Sequence, residues 1–500
     1  MRRMLVVLSL LVATSAFAQQ FTARFVPPLV RVDPGAAVQV ESILSYVNQT
    51  SVSNLSVRYD LDGGATFTSI SGFGGNCAIS GNTAECSMTP QPGSFETRVV
   101  LGILTGNGNG THATVRVSAT ATRIEDAGTV TTSATGALQN YRLVIVTTTA
   151  DSGVGSLRAA IDEANGIGKP AKLLFQIAQP VPAEGWFTIV PASPLPPITV
   201  DSMFVDGKSQ TRFTGDTNTR GPEIAIDGHL AHRGLEIHSR CEAKIEGLTL
   251  GHFDANQGLW FTKDGACASL PFTINDERWV TDNYIGIDPT GTIAWPNLRG
   301  LRADFGVGDV RNNVISGNTY SGMWVWITAD RPNSLNIEDN KFGTAADGVT
   351  PLPNGAAGIL FGPRVSADVR RNVIANHPGM GIALDRNGTT YVEIRQNSMR
   401  DNGGIGIDWG VDGVSPRVLD DADTVPNAPV LLSARYDSAT DRTYFSVVVD
   451  SGRPNGPNGY DLGLDFYANR GPDGDGEQWL GIDHGPGTLG TDAFEAWLPG

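Results

Sequence analysis

The chain has 500 residues, 60 of them glycine, with 40% apolar residues and a formal charge of -16. That length is too great for one compact core and calls for several domains or an elongated repeat body, while glycine well above the usual ~7% calls for many turns. The acidic balance disfavours nucleic acid and anionic membrane surfaces as partners.

The chain opens with Arg2 and Arg3, an apolar run from Leu5 to Val12, and small residues around Ala16 and Ala18. This pattern predicts a signal peptide over residues 1–18 and a secreted or cell-surface protein. The run is too short for a membrane span, and no later segment is apolar for long enough. Export permits disulfides, and local pairing of Cys77 with Cys86 and Cys241 with Cys267 closes the shortest loops of the three arrangements that four cysteines allow. A zinc site built on His238 and Cys241 competes with the second bridge, although Cys267 has no further ligand beside it. No metal or cofactor is expected.

Residues 19–138 alternate apolar and polar positions in runs such as "AVQVESILSYV", "LSVRYDL" and "ATVRVSATATRI", broken by Gly, Asn and Pro. That is the pattern of a β-sandwich. The segment "GFGGNCAISGNTAECSMTPQPG" resembles the Ig-like conserved-repeat domain of bacterial surface proteins. Next, "GSLRAAIDEANG" predicts one short helix, with Ser156 as its N-cap, Leu157, Ala160, Ile161 and Ala164 on one face, and Gly166 as its end. Two readings stay open: a cap over the first rung of a repeat body, or an ordinary connection.

A repeat follows. Asn283, Asn313, Asn340, Asn372 and Asn397 stand 30, 27, 32 and 25 residues apart. Each is flanked by apolar residues five positions apart, Val280 with Ile285 and so on to Ile394 with Met399. Residues an odd number apart on one strand face opposite sides, so something between them must reverse the parity. Asparagine tolerates positive φ, which predicts that these five are left-handed corner residues; stacked copies can also bond amide to amide. Later in each repeat, Gly258, Gly300, Gly322, Gly358, Gly381 and Gly406 precede apolar pairs that run from Leu259 and Phe261 to Ile407 and Trp409. Short strands, tight corners and one coil per 25 to 32 residues describe a parallel β-helix.

"DSGVGSLRAAIDEAN", "PASPLPPITVDSMFVDGKSQ", "IEGLTL" and "NYIGIDPTG" resemble secreted bacterial right-handed parallel β-helix proteins that open with a Ser-Leu-Arg segment. The likeness covers about residues 141–427. It implies right-handedness but assigns no catalytic residues, because the wider fold hosts polysaccharide lyases and hydrolases, adhesins and stalks alike. The expected fold is all-β, a helix-capped right-handed parallel β-helix over residues 141–410 flanked by Ig-like β-sandwich domains. An acidic linker occupies 411–428. A C-terminal sandwich occupies 429–500, with about four strands where about seven are usual.

Alternation also assigns outward positions: Trp260, Arg302, Trp324, Leu360, Ala383 and Asp408 in one column, with Asp304, Trp326 and Asp385 in the next. Indole rings beside carboxylates and an arginine suit a sugar chain, so Trp260, Arg302, Asp304, Trp324 and Trp326 are the expected ligand-binding residues and a polysaccharide or surface glycan the expected partner. Long loops folded over the indoles would favour a structural stalk instead. Asp385 and Asp408 should lie about 8 Å apart, inside the window for an inverting glycosidase, and are weak catalytic candidates. A lyase would draw on Asp304 and Arg302. The main expectation is carbohydrate binding without catalysis, the alternative a polysaccharide-degrading enzyme on the same face.

Overall fold

The computed structural model describes residues 20–26, 29–47, 52–89, 95–108, 112–124, 127–168, 170–178, 180–238, 242–262, 278–304, 308–326, 335–363, 365–385, 391–410, 430–439, 442–450, 462–468, 478–485 and 491–499. The expected signal peptide, the acidic linker, Cys241 and Cys267 lie outside them. The described chain is all-β apart from two helices, Leu157–Ile167 and Lys208–Thr214, and forms two compact units, Met1–Tyr141 and Arg142–Gly500.

The first unit encloses its core between a four-stranded and a six-stranded sheet. Alternation drives this: in Val52–Leu61, Leu55, Val57, Tyr59 and Leu61 are buried and Ser56 and Arg58 are not. Neighbouring strands run antiparallel except where Thr129–Asn140 pairs with Leu29–Val32. Cys77 and Cys86 face each other across the hairpin of Asn76–Ser80 and Thr83–Met88 and form a disulfide.

Three long parallel sheets, of nine, eight and seven strands, build the second unit. The chain visits them in rotation: Arg278–Thr281 lies in the first, Tyr284–Ile285 in the second and Arg299–Ala303 in the third, and the next rung repeats the order with Asp309–Arg311, Val314–Ile315 and Met323–Val325. Each strand pairs in register with its copy one rung on, Val280 with Val310 and Ile285 with Ile315. One continuous core runs from Val144 to Met399. Ile407, assigned to the interior by its pattern, is 42% exposed, its strand being the last of the seven-stranded sheet among the described residues.

The asparagines do mark the corners, but they are not the left-handed residues. Positive φ falls one position earlier, at Asp282, Asn312, Asp339, Arg371 and Gln396, all between 54° and 58°. That residue makes the bend and leaves the asparagine buried, its side chain free to join an amide ladder. Asn313 donates its carboxamide to Asn340 Oδ1 at 2.9 Å and to the Val280 carbonyl at 2.8 Å; Asn340 repeats this toward Asn372, and Asn372 toward Asn397. Leu248 stands where a sixth asparagine would, and its N–H is accepted by Asn283 Oδ1 at 3.0 Å. A second ladder, from Asn297 through Asn318 and Asn354 to His377 and Asn402, lines the corner before the third sheet.

The helix Leu157–Ile167 is capped by Ser156, whose hydroxyl accepts the Ala159 N–H at 3.2 Å, and ends at left-handed Gly168 rather than at Gly166. Its face of Leu157, Ala160, Ile161 and Ala164 belongs to the same core as Val144 and Leu173 of the first two strands in the nine-stranded sheet. Arg158 fastens it to the following segment by donating to the Ser193 and Pro194 carbonyls, each at 2.8 Å. The two long corner loops after Tyr284–Ile285 and Lys341–Phe342 lie against each other, the Ala346 N–H donating to the Gly291 carbonyl at 2.8 Å. Beyond residue 429 are a three-stranded antiparallel sheet and a two-stranded one.

Candidate functional site

Parallel pairing brings the expected row together on the outer face of the seven-stranded sheet. Trp260 pairs with Arg302, Arg302 with Trp324, Trp324 with Leu360, and Ala383 with Asp408. The Arg302 guanidinium lies between the two indoles, 4.7 Å from each ring centroid. Asp304 ties the group off, accepting the Trp260 indole N–H at 2.9 Å on one oxygen and Arg302 Nε at 2.6 Å on the other. Arg299 sits 4.6 Å from the Trp324 ring, and burial holds its pKa below the ordinary guanidinium value. Trp326 meets Trp324 edge to face at 5.6 Å.

Trp260, Arg302 and Trp324 are half-buried, Ala383 and Asp408 at the far end of the row are buried, and the polar groups of Trp260, Arg302 and Asp304 are matched to one another. A guanidinium covers one face of Trp260, and Asp304 and Arg302 hold each other, which withdraws them from the loose lyase assignment. The weak catalytic pair is corrected in one respect: Asp408 is 1% exposed, while Asp385 is half-buried, so they do not present two solvent-reached carboxylates. An inverting glycosidase needs both where water and substrate meet.

Sequence reasoning missed a different site. A cleft of about 490 Å³ is lined by Trp186, Trp295, Glu184, Asp227, Thr149 and Thr188, with Pro180, Pro182 and Phe187 completing it. At its edge the eight-stranded sheet places Asp227 opposite Gly251, so that His252, the next residue, lies beside Asp227. His252 Nδ1 is 2.9 Å from Asp227 Oδ1, the same oxygen that accepts the backbone N–H of His229 at 3.1 Å. The His252 ring stacks on Trp295 at 4.9 Å and meets the His229 ring edge to face at 5.7 Å. The signal was there in "EIAIDGH" and "GLTLGH", which overlay rung on rung, but neither carries the asparagine that marks the later repeats.

A second cavity, of about 550 Å³, lies over the left-handed corners and is lined by Lys208, Arg212, Glu223, Asp282, Tyr284 and Lys341 among others. Its charges are largely paired: Lys208 reaches Asp282 at 2.6 Å, Arg212 reaches Asp206, and Thr211 donates to Glu223. His238, the proposed partner of Cys241, has Nε2 3.6 Å from Glu236.

No family model matches the chain, and no curated protein matches it. Among solved structures, the sixth cohesin of scaffoldin B from Acetivibrio cellulolyticus is similar at 14% identity, covering 24% of this chain and 96% of its own, with a TM-score of 0.19. A non-cellulosomal cohesin from Archaeoglobus fulgidus is similar at 10% identity, covering 24% and 90%, with a TM-score of 0.19. The collagen-binding domain of a Staphylococcus aureus adhesin is similar at 13% identity, covering 26% and 100%, with a TM-score of 0.17. At these values the likenesses carry no weight for function.

Proposed function

We propose that this chain is an exported right-handed parallel β-helix protein, flanked by Ig-like β-sandwich domains, that binds carbohydrate on a rigid surface without catalysis. Three parallel sheets visited in rotation support the β-helix, and Arg2 to Ala18 together with the Cys77–Cys86 bridge support export. The single observation that carries the ligand class is the cleft of about 490 Å³ walled by Trp186 and Trp295. Indoles offer apolar faces to sugar rings, while Glu184, Asp227, Thr149 and Thr188 offer partners for hydroxyls, in a volume suited to a small ligand or a few sugar units. The Trp260, Arg302 and Trp324 row is the second surface. Its side chains are already ordered by one another, so little conformational entropy is lost on binding.

Retention of the mature protein on a panel of immobilised plant, algal and bacterial polysaccharides tests this reading. Wild type should be retained by at least one. Loss in Trp186→Ala assigns the cleft, and loss in Trp324→Ala assigns the row. Retention by none sinks the proposal and leaves a structural stalk. New reducing ends or unsaturated uronates that disappear in Asp385→Asn would establish the polysaccharide-degrading alternative.

A further inference from the structure

We propose that Asp227, His229 and His252 bind a divalent transition-metal ion of the zinc type at the rim of the Trp186 and Trp295 cleft. Each residue offers one donor atom, and the three lie within 4.8 Å of one another, the single such cluster of three or more among the described residues. Two ligands about a tetrahedral zinc stand ~3.3 Å apart, so small side-chain rotations close the set. The closest pair, His252 Nδ1 and Asp227 Oδ1, is already at 2.9 Å.

Position and chemistry both favour the ion. Asp227 and Gly251 are fixed by sheet pairing, and the Gly228 N–H donates to the Gly251 carbonyl at 2.8 Å, so the backbones that carry the donors are set before a ligand arrives. The stack on Trp295 holds the His252 ring. Two imidazoles and one carboxylate suit zinc far better than calcium or magnesium, which take oxygen ligands. Three protein ligands leave a fourth position for water or an exogenous group. Because Asp227 also lines the cleft, that group would belong to whatever occupies it. The inference does not rest on the carbohydrate reading, since zinc alone is the probe.

Calorimetric titration of chelator-stripped mature protein with zinc chloride is the test. One equivalent should bind, and His252→Gln and Asp227→Asn should each weaken binding by at least ~10-fold, the least that loss of a supporting group costs such sites. His229 is exposed, so His229→Gln should keep the wild-type melting temperature and still weaken zinc binding. His232→Gln, in the neighbouring pair with Asp254, should bind as wild type does. Absence of saturable zinc binding, equal affinity in His229→Gln and wild type, or a preference for calcium would each overturn the proposal.

Discussion

Asn313 Oδ1 accepts two hydrogen bonds from Asn283, one from the backbone N–H at 2.9 Å and one from the carboxamide at 3.1 Å. The same double bond recurs one rung on, where Asn340 Oδ1 accepts from Asn313 at 3.0 and 2.9 Å. Every member is buried, so no water can stand in for a missing partner. Asn340→Ala would orphan the Asn313 backbone N–H and take the Asn340 donor from the Val310 carbonyl, at about 1–3 kcal/mol for each buried group, while the Asn313 carboxamide keeps the Val280 and Arg311 carbonyls. The expected loss in unfolding free energy, read from urea denaturation, is about 2 kcal/mol or more. An unchanged midpoint would show that the ladder is ornamental.

Gln396 holds φ at 58° immediately before Asn397. A left-handed side-chain-bearing residue costs about 1–2 kcal/mol, whereas glycine pays mainly in unfolded-state entropy. Gln396→Gly should therefore stabilise by up to ~1 kcal/mol, and Asn397→Gly should destabilise. Thermal melts of both variants check this; the reverse order would return the left-handed role to the asparagine.

His377 takes an asparagine's place in the second ladder, accepting the Asn354 backbone N–H at Nδ1 while its own backbone N–H donates to Asn402 Oδ1. Burial pushes its pKa down to about 4 from 6.5. The unfolded chain then binds the extra proton between those values, so the stability tied to neutral His377 is complete above pH 6.5 and is lost as pH falls toward 4, by about 3 kcal/mol. His377→Asn should remove this dependence. Comparing melts of wild type and variant from pH 7 to pH 4 reads it directly: a gap that does not change in the variant's favour on acidification would refute it.

Arg302 between Trp260 and Trp324 is expected to stabilise the outer face by about 1 kcal/mol per indole. In a double-mutant cycle, Arg302→Met and Trp324→Leu should show coupling of that size, and Arg302→Lys should not substitute, because its ammonium is not planar. Additive effects would mean that the stack is only proximity.

The repeat was legible because apolar pairs five apart recur five times, and only a corner reconciles that spacing with a single buried face. The left-handed seat was harder to read: Asp282, Asn312 and Asp339 are of the kind that tolerates positive φ, but Arg371 and Gln396 are not, and the invariant asparagine beside them drew the assignment. The second ladder hid behind loops of unequal length, with 21, 36, 23 and 25 residues between its members. Alternation placed the column from Trp260 to Asp408 in its register, but it says nothing of how side chains lean along a column. The wedge of Arg302 and the burial of Asp408 therefore could not be read. Asp227 and His252 meet only through pairing between rungs 24 residues apart, early in the repeat where no asparagine marks the frame.

In each ladder bond, a rung spends a donor on the rung after it and offers an acceptor to the rung before it. A duplicated stretch of some thirty residues would therefore arrive already compatible with both neighbours, adding ~4.8 Å of stacked sheet and asking no other residue to change. Such a body can be lengthened or shortened by recombination like a ruler cut at its marks, and selection can tune the reach of its surfaces without retuning the surfaces themselves.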